Sequence, residues 1–353
     1  MRKLIFMLIS LPGALFCLLD ACAAVPPRMY TNPLGGLRMG DPFVMRYKGA
    51  YYLYGTTAGD GFLGWRSTNL VDWEPLSYVY KKTGESWGGS TYWAPEVVFY
   101  NNKFYMVFSC EPANLKDFGA RICLAVSDKP EGPFEDLHVP LFDPGYGCID
   151  GHIYIDDGNM PYLFFDKVGV VGAPWMGPKF GHLFGIIYAV KLKDDLSGIA
   201  GEPVECLHAD AEWELSFTPG QMPTRCNEGA SVFKHKNRYY MTYSANHYAS
   251  PDYGIGYATA FSPLGPWTKS SGNPLVRSDP AVGVSGPGHN CVVCSPNGKE
   301  LFMVYHTHAD PAHPSGERTV NIDRLVINKN GALRLIGPTR SPQPMPSAKR
   351  RSW

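Results

Sequence analysis

One hairpin is written five times along this chain of 353 residues. "KGAYYLYGT" from Lys48 returns as "NNKFYMVFS" from Asn101, "DGNMPYLFFD" from Asp157, "KNRYYMTYS" from Lys236 and "NGKELFMVYH" from Asn297. Each copy is a polar turn followed by a strand dense in aromatic and branched residues. The aromatic strands begin at Tyr51, Phe104, Pro161, Tyr239 and Leu301, about 50–80 residues apart, a spacing that propeller blades plus insertions reach. No long stretch carries apolar residues at helical spacing, so the pattern is all-β. A second element repeats as well. "SDKPEGPF" from Ser127 matches "FSPLGPW" from Phe261, and "RSTNLVDWEPL" from Arg66 is a looser version; these are expected as outer strands and their turns. Five units of four strands predict a five-bladed β-propeller over residues 30–340, which manages exposed sheet edges by radial repetition. The extended segment around Tyr30-Thr31-Asn32 is expected to close the ring by joining the last blade. Blade three carries an extra "VGVVGAPWMGPKFGHLFG", expected as a loop between its second and third strands. Trp175, Phe180 or Phe184 would then shape a pocket rim or pack the loop itself.

A polar residue precedes every aromatic strand by about 8–12 residues: Asp41, Glu96, Asp150, Glu228 and His289. An Asp before Pro42 is ordinarily a turn former. Five independent turns, however, have no need of four carboxylates and one histidine at a recurring place. In a propeller the first strand of each blade lines the central channel, so a residue at its start points towards the axis. Gathering like charges there costs free energy through repulsion and desolvation, and a site that needs unequal pKa values is a reason to tolerate it. Hydrolysis of a glycosidic bond has that need: a neutral carboxyl protonates the leaving oxygen while an ionised one activates water on the opposite face.

The bulk numbers bound the alternatives. With 44% apolar and 13% aromatic residues the chain can bury a sizeable core. Thirty-two basic residues balance thirty-two acidic ones, and no basic stripe suggests nucleic acid. The Lys349-Arg350-Arg351 cluster falls in a short tail, 341–353. Arg2 and Lys3 precede an apolar run from Leu4 to Leu19 and small residues at Ala21, Ala23 and Ala24. That is a bacterial-type secretory signal over residues 1–23, too short and wrongly flanked for a membrane span. Ala21-Cys22-Ala23 offers a cleavage site; Leu19-Asp20-Ala21-Cys22 alternatively resembles a lipoprotein box with Cys22 lipidated. Either way the chain is expected outside the cytoplasm, periplasmic or extracellular. Nine cysteines include Cys17 and Cys22 of the signal, leaving seven, an odd number that keeps at least one thiol free or paired elsewhere. Cys291-Val292-Val293-Cys294 has metal-ligand spacing, but no second pair completes a zinc set, and both are expected as strand residues.

Five motifs taken in order carry a family resemblance. "GDPFVMRYKGAYYLYGT", "YWAPEVVFYNNKFYMVFS", "CIDGHIYIDDG", "NEGASVFKHKNRYYMTYS" and "GPGHNCVV" look like the serial blade motifs of glycoside hydrolase family 43, and the likeness runs from about Asn32 to about Gly337. The resemblance implies an inverting mechanism. Asp41 would be the general base and Glu228 the general acid, with Asp150 raising and orienting that acid. His289 would sit on the axis, holding a water or a structural cation such as calcium; no other cofactor is implied. Arg318, in "GERTVNIDRL", matches an arginine that reaches the site beside the sugar. Trp93 matches a pocket aromatic, and Glu96 a supporting group beside the substrate. The partner implied is a carbohydrate, acted on by a monomer, with a membrane involved only if Cys22 is lipidated.

Rival readings are a retaining or fructan-active propeller and a non-catalytic sugar-binding one. The first uses an Asn-Asp-Pro-Asn context, whereas here it is Gly40-Asp41-Pro42-Phe43. The second would have lost one of the three carboxylates, and all are present. A terminal α-L-arabinofuranosyl residue is the first choice of substrate, β-D-xylosides the second, and galactose-containing or endo-arabinan substrates follow.

Overall fold

The computed structural model describes residues 28–112, 119–172, 181–216 and 222–348. The secretory segment, the basic cluster, Trp175 and Phe180 lie outside the described residues. A short strand β1 (Met29–Tyr30) is followed by five blades of four antiparallel strands, the third and fourth joined into one eight-stranded sheet by parallel pairing of residues 183–185 with 224–226. Blade one is β2 (Gly40–Tyr47), β3 (Ala50–Thr56), β4 (Gly61–Ser67) and β5 (Glu74–Lys81). Blade two is β6 (Gly88–Tyr100), β7 (Lys103–Pro112), β8 (Arg121–Ser127) and β9 (Glu135–His138). Blade three is β10 (Cys148–Ile155), β11 (Pro161–Gly172), β12 (Gly181–Lys191) and β13 (Val204–His208). Blade four is β14 (Thr224–His235), β15 (Arg238–Ala245), β16 (Gly254–Ala260) and β17 (Thr268–Lys269). Blade five is β18 (Gly288–Cys294), β19 (Leu301–His308), β20 (Arg318–Ile327) and β21 (Leu333–Ile336), after which β22 (Gln343–Pro344) pairs with β1. This is the five-bladed β-propeller that the repeat predicts.

The blades pack through five apolar clusters, one at each seam. The cluster between blades five and one, with Tyr30, Leu34, Val44, Leu53, Phe302 and Ile322, shows that the ring is closed. The abundant tyrosines belong mostly to these seams. A phenol buries a large ring and still needs a partner for its hydroxyl. Tyr51 of blade one donates to Cys294 O of blade five (2.8 Å), and Tyr54 donates to Pro130 O of blade two (2.6 Å). Tyr240 of blade four donates to Gly331 O of blade five (2.9 Å).

The segment Tyr30-Thr31-Asn32 meets the last blade as expected: the Tyr30 hydroxyl donates to Ile322 O and Asn32 exchanges hydrogen bonds with both backbone groups of Ile322, while β1 itself pairs with β22. One expectation needs correction: the described residues of the blade-three insertion, read as a loop, are strand. The β11–β12 ladder continues through Val168–Gly185 to Gly172–Gly181, making a long hairpin arm. Phe184 lies within β12, opposite Gly169, and its ring lies over the space a side chain there would fill.

Each blade's inner strand carries a bulge at an equivalent place, and that of blade two has two further irregularities before it. A bulge inserts one residue and re-aims the side chains around it. The inserted residue has left-handed backbone in every case: Asp41 (φ 53°), Ala94 (45°), Asp150 (57°), Gly229 (62°) and His289 (44°). For a residue other than glycine that conformation costs about 1–3 kcal/mol. The N–H it exposes is satisfied each time by a side chain on the second strand of the preceding blade. Asp41 N–H donates to His306 Nδ1 (3.1 Å), Ala94 to Thr56 Oγ1 (2.9 Å) and Asp150 to Ser109 Oγ (2.9 Å). Gly229 donates to Asp166 Oδ2 (2.8 Å) and His289 to Ser244 Oγ (2.7 Å). A ring of five such bonds offsets the strain and ties blade to blade.

Candidate active site

The bulges also correct the idea of one recurring acidic position. Asp41, Asp150 and His289 are bulge residues, Glu228 stands one residue before its bulge and Glu96 two residues after. The offsets decide who meets whom. Asp41, Asp150, Glu228 and His289 converge: His289 Nδ1 lies 3.4 Å from Asp41 Oδ1 and 3.8 Å from Asp150 Oδ2. Asp41 and Glu228 are close enough to influence each other's ionisation, as are Glu228 and Asp150. Glu96 turns to His152 instead, Oε2 to Nδ1 at 2.5 Å. His152 Nε2 accepts the Val232 N–H (3.1 Å), which leaves its hydrogen on Nδ1, facing Glu96. Glu96 therefore braces blades two, three and four.

Asp41 is held as an anion. Arg318 Nη1 donates to its Oδ1 at 2.7 Å and Thr56 Oγ1 to its Oδ2 at 2.5 Å. Burial alone would raise its pKa. Arg318, then His289, His306 and the Thr56 hydrogen bond, outweigh burial and hold the carboxyl well below the usual range. Gly40 makes this possible, since a Cβ there would sit 2.1 Å from the Arg318 guanidinium carbon. Arg318 is itself aligned by Gly316 O (3.1 Å) and lies 4.8 Å from the centre of the Tyr248 ring.

Glu228 is driven the other way. Burial raises its pKa, opposed by a 2.6 Å hydrogen bond from Tyr253 and by the charges of His289 and Arg318, while Asp41 adds to the rise. The net direction is upward, so this group keeps its proton to higher pH than an ordinary glutamate. Tyr253 reaches it because position 288 is glycine: a Cβ there would lie 1.8 Å from the phenol ring. The same ring stacks on His306 (5.7 Å, 10°). His306 is kept neutral by burial and by Arg318, consistent with its Nδ1 accepting the Asp41 N–H. Asp150 is pushed well above the ordinary range by burial, then by Glu228 and Asp41.

A cavity of about 440 Å³ opens beside Asp41, with Thr56, Thr57, Trp93 and Arg318 in its wall. Trp93 is thus where a pocket aromatic was expected. Among the described residues no group of three or more His, Cys, Asp or Glu side chains is arranged to hold a metal. Calcium asks for an oxygen-rich cage. The oxygens nearest His289 belong to Asp41 and Asp150, and those of Asp41 are already taken by Arg318 and Thr56. These side chains do not fit calcium. Cys291 and Cys294 are strand residues, as expected. The seven described cysteines are all free thiols, Cys110 and Cys123 with sulfurs 3.4 Å apart.

Sequence reasoning did not find Thr56, Tyr253, His306 or Asp166. The glycines of "GDPF" and "GPGH" were the available signal for two of their neighbours: each is the space into which Arg318 or Tyr253 fits.

A closed ring with an anionic and a proton-retaining carboxyl at its axis defines a propeller glycosidase. Residues 30–333 match the model of glycosyl hydrolases family 43, and the chain belongs to that family. It is 46% identical to a thermostable family-43 glycoside hydrolase of known structure (TM-score 0.82), covering 91% of this chain and all of that one. An endo-1,4-β-xylanase of Bacteroides thetaiotaomicron superimposes with TM-score 0.71 at 33% identity, over 88% and 97% of the two chains. A β-D-galactofuranosidase of Aspergillus niger is 25% identical over 86% of this chain and 83% of its own length. An extracellular exo-α-(1→5)-L-arabinofuranosidase of Streptomyces avermitilis is 26% identical over 87% of this chain and 63% of its own length. The protein is a glycoside hydrolase.

Proposed function

We propose that it is an inverting exo-acting glycosidase releasing terminal α-L-arabinofuranosyl residues from plant-type side chains or oligosaccharides. One observation carries the mechanism: two carboxyls of one buried site are shifted in opposite directions, Asp41 downward beside Arg318 and Glu228 upward by burial. Asp41, ionised against Arg318, acts as the base that takes a proton from water. Glu228, protonated, delivers its proton to the leaving oxygen as the glycosidic bond breaks. Asp150, buried beside it, raises that acid's pKa and orients it. Arg318 and Trp93 stand in the wall of the cavity that would hold the sugar.

The choice of sugar draws on ring chemistry. An α-L-arabinofuranoside and a β-D-galactofuranoside share the same furanose stereochemistry and differ in the exocyclic carbon chain. The two relatives named for those sugars thus agree on one ring, and a furanose is preferred over a xylopyranose. The N-terminal pattern supports export across the inner membrane.

An NMR time course on mixed arabinose- and xylose-decorated oligosaccharides tests this directly. Release of arabinose whose first-formed anomer is inverted is expected. Release of xylose with inversion would change the substrate and keep the site, and a retained anomer would overturn the roles of Asp41 and Glu228. Glu228→Gln is expected to keep the fold and lower kcat on unactivated glycosides by about 10²–10⁴-fold; full activity would remove the assignment.

A further inference from the structure

The ring of bulge hydrogen bonds contains one acceptor out of keeping with its neighbours. Thr56, Ser109 and Ser244 accept through hydroxyls and His306 through a neutral imidazole. Blade three supplies Asp166, which is fully buried. A hydroxyl would satisfy the Gly229 N–H without bringing in an ionisable group. Asp166 Oδ2 takes that N–H, and its Oδ1 has no donor among the described residues. Asp166 pairs across the ladder with Ile149, which sets it next to the bulge residue Asp150, and the two buried carboxyls influence each other's ionisation. No lysine or arginine pairs with either among the described ion pairs. The groups around them are Glu228 on β14, Asp41 on β2, Glu96 on β6, the thiols of Cys148 and Cys226, and the His289 ring on β18. Two buried carboxyls in contact cannot both ionise cheaply, and one proton held between them removes the conflict.

We propose that Asp166 is a positioning residue, a neutral carboxylic acid that donates its proton in a hydrogen bond to the Asp150 carboxylate while accepting from Gly229, the residue next to Glu228. This inference rests on the acid and base assignment above. It gives Asp166 two tasks. Its hydroxyl stabilises Asp150 as the anion whose charge keeps Glu228 protonated. Its other oxygen fixes the backbone immediately after Glu228, so the modulating charge and the acid are held by one side chain. Burial pushes both carboxyls upward, while the hydrogen bond between them lowers Asp150 and raises Asp166, in keeping with Asp166 as the partner that holds the proton.

Two variants and one spectrum test it. Asp166→Asn keeps a donor for Asp150 and an acceptor for Gly229, and is expected to retain wild-type kcat and pH profile. Asp166→Ser keeps the Gly229 acceptor, as three other blades do, but is too short to serve both partners. Asp150 then loses its donor and takes up a proton, Glu228 loses the charge that protects it, and the alkaline limb moves down by about one pH unit, tenfold in rate at that limb. A wild-type-minus-Asn infrared difference spectrum at neutral pH is expected to show a carboxylic-acid C=O band. Carboxylate bands there, or an Asn variant whose alkaline limb falls as far as that of Ser, would overturn the proposal. Failure of the acid assignment shows separately, as full activity of Glu228→Gln, and leaves the infrared band to report the Asp166 proton.

Discussion

Arg318 and Tyr253 each govern one carboxyl, and removing either moves a different limb of the pH profile. In the proposed mechanism the base must be ionised, so activity is expected to fall as pH drops through the pKa of Asp41. Arg318→Met raises that pKa and shifts the acidic limb of kcat/KM to higher pH. An acid must be protonated, so activity falls as pH rises through the pKa of Glu228. The Tyr253 hydroxyl favours the Glu228 anion, hence Tyr253→Phe raises its pKa and shifts the alkaline limb upward. Stability follows the opposite signs. Asp41 is depressed on folding, so its contribution is present above the ordinary carboxylate range and lost as pH falls through its lowered value. Asp150 is raised, so it destabilises the fold above its raised pKa and that cost is relieved as pH falls. Asp150→Asn should therefore raise the Tm at pH 8 by more than at pH 5 while lowering activity, the exchange of stability for function expected where charge is buried for chemistry. Thermal scans at the two pH values check it. The three carboxylates were legible because their order along the chain is distinctive. Asp166 was not: within "PYLFFDKV" it reads as one more polar residue on a strand, and only the fold shows that it meets Asp150.

At the scale of strands, the repeated bulge explains both what the sequence revealed and what it hid. Aromatic alternation after polar turns marks β3, β7, β11, β15 and β19 because both faces of these strands pack in seams. The phase of the bulge leaves no such mark. Its left-handed residue is Asp, Ala, Asp, Gly or His, a mixed set in which no one residue type marks the place. Hence a residue one place earlier, Glu228, and one two places later, Glu96, looked equivalent to Asp41. The glycine-rich arm of blade three misled for a related reason: glycines that suit a loop also let Phe184 lie across Gly169 in a ladder. The hydrogen bonds of the ring are testable as units. Ser244→Ala leaves the His289 N–H buried without its acceptor and should reduce the unfolding free energy by about 1–3 kcal/mol, read by denaturant titration. The hydroxyl touches no reacting group, so the Michaelis constant is expected to change less than the stability.

The whole ring depends on one seam between its first and last parts. The amide of Asn32 pairs with Ile322 as a strand would, Nδ2 to O at 2.8 Å and N–H to Oδ1 at 3.0 Å, and lies buried against Asp323 and Thr339. Asn32→Ala should cost about 1–3 kcal/mol in cooperative unfolding with the blades otherwise intact, measured by calorimetry. The seam does more than hold the circle. Asp41 receives its guanidinium from a residue 277 positions further along the chain, and its backbone N–H is bound by His306 of the same last blade. A chain without its last blade would therefore leave this aspartate with neither its guanidinium nor the acceptor of its N–H. The group proposed as the base is armed only when the two ends of the ring have met, so that docking of the final blade is also the step that switches the site on.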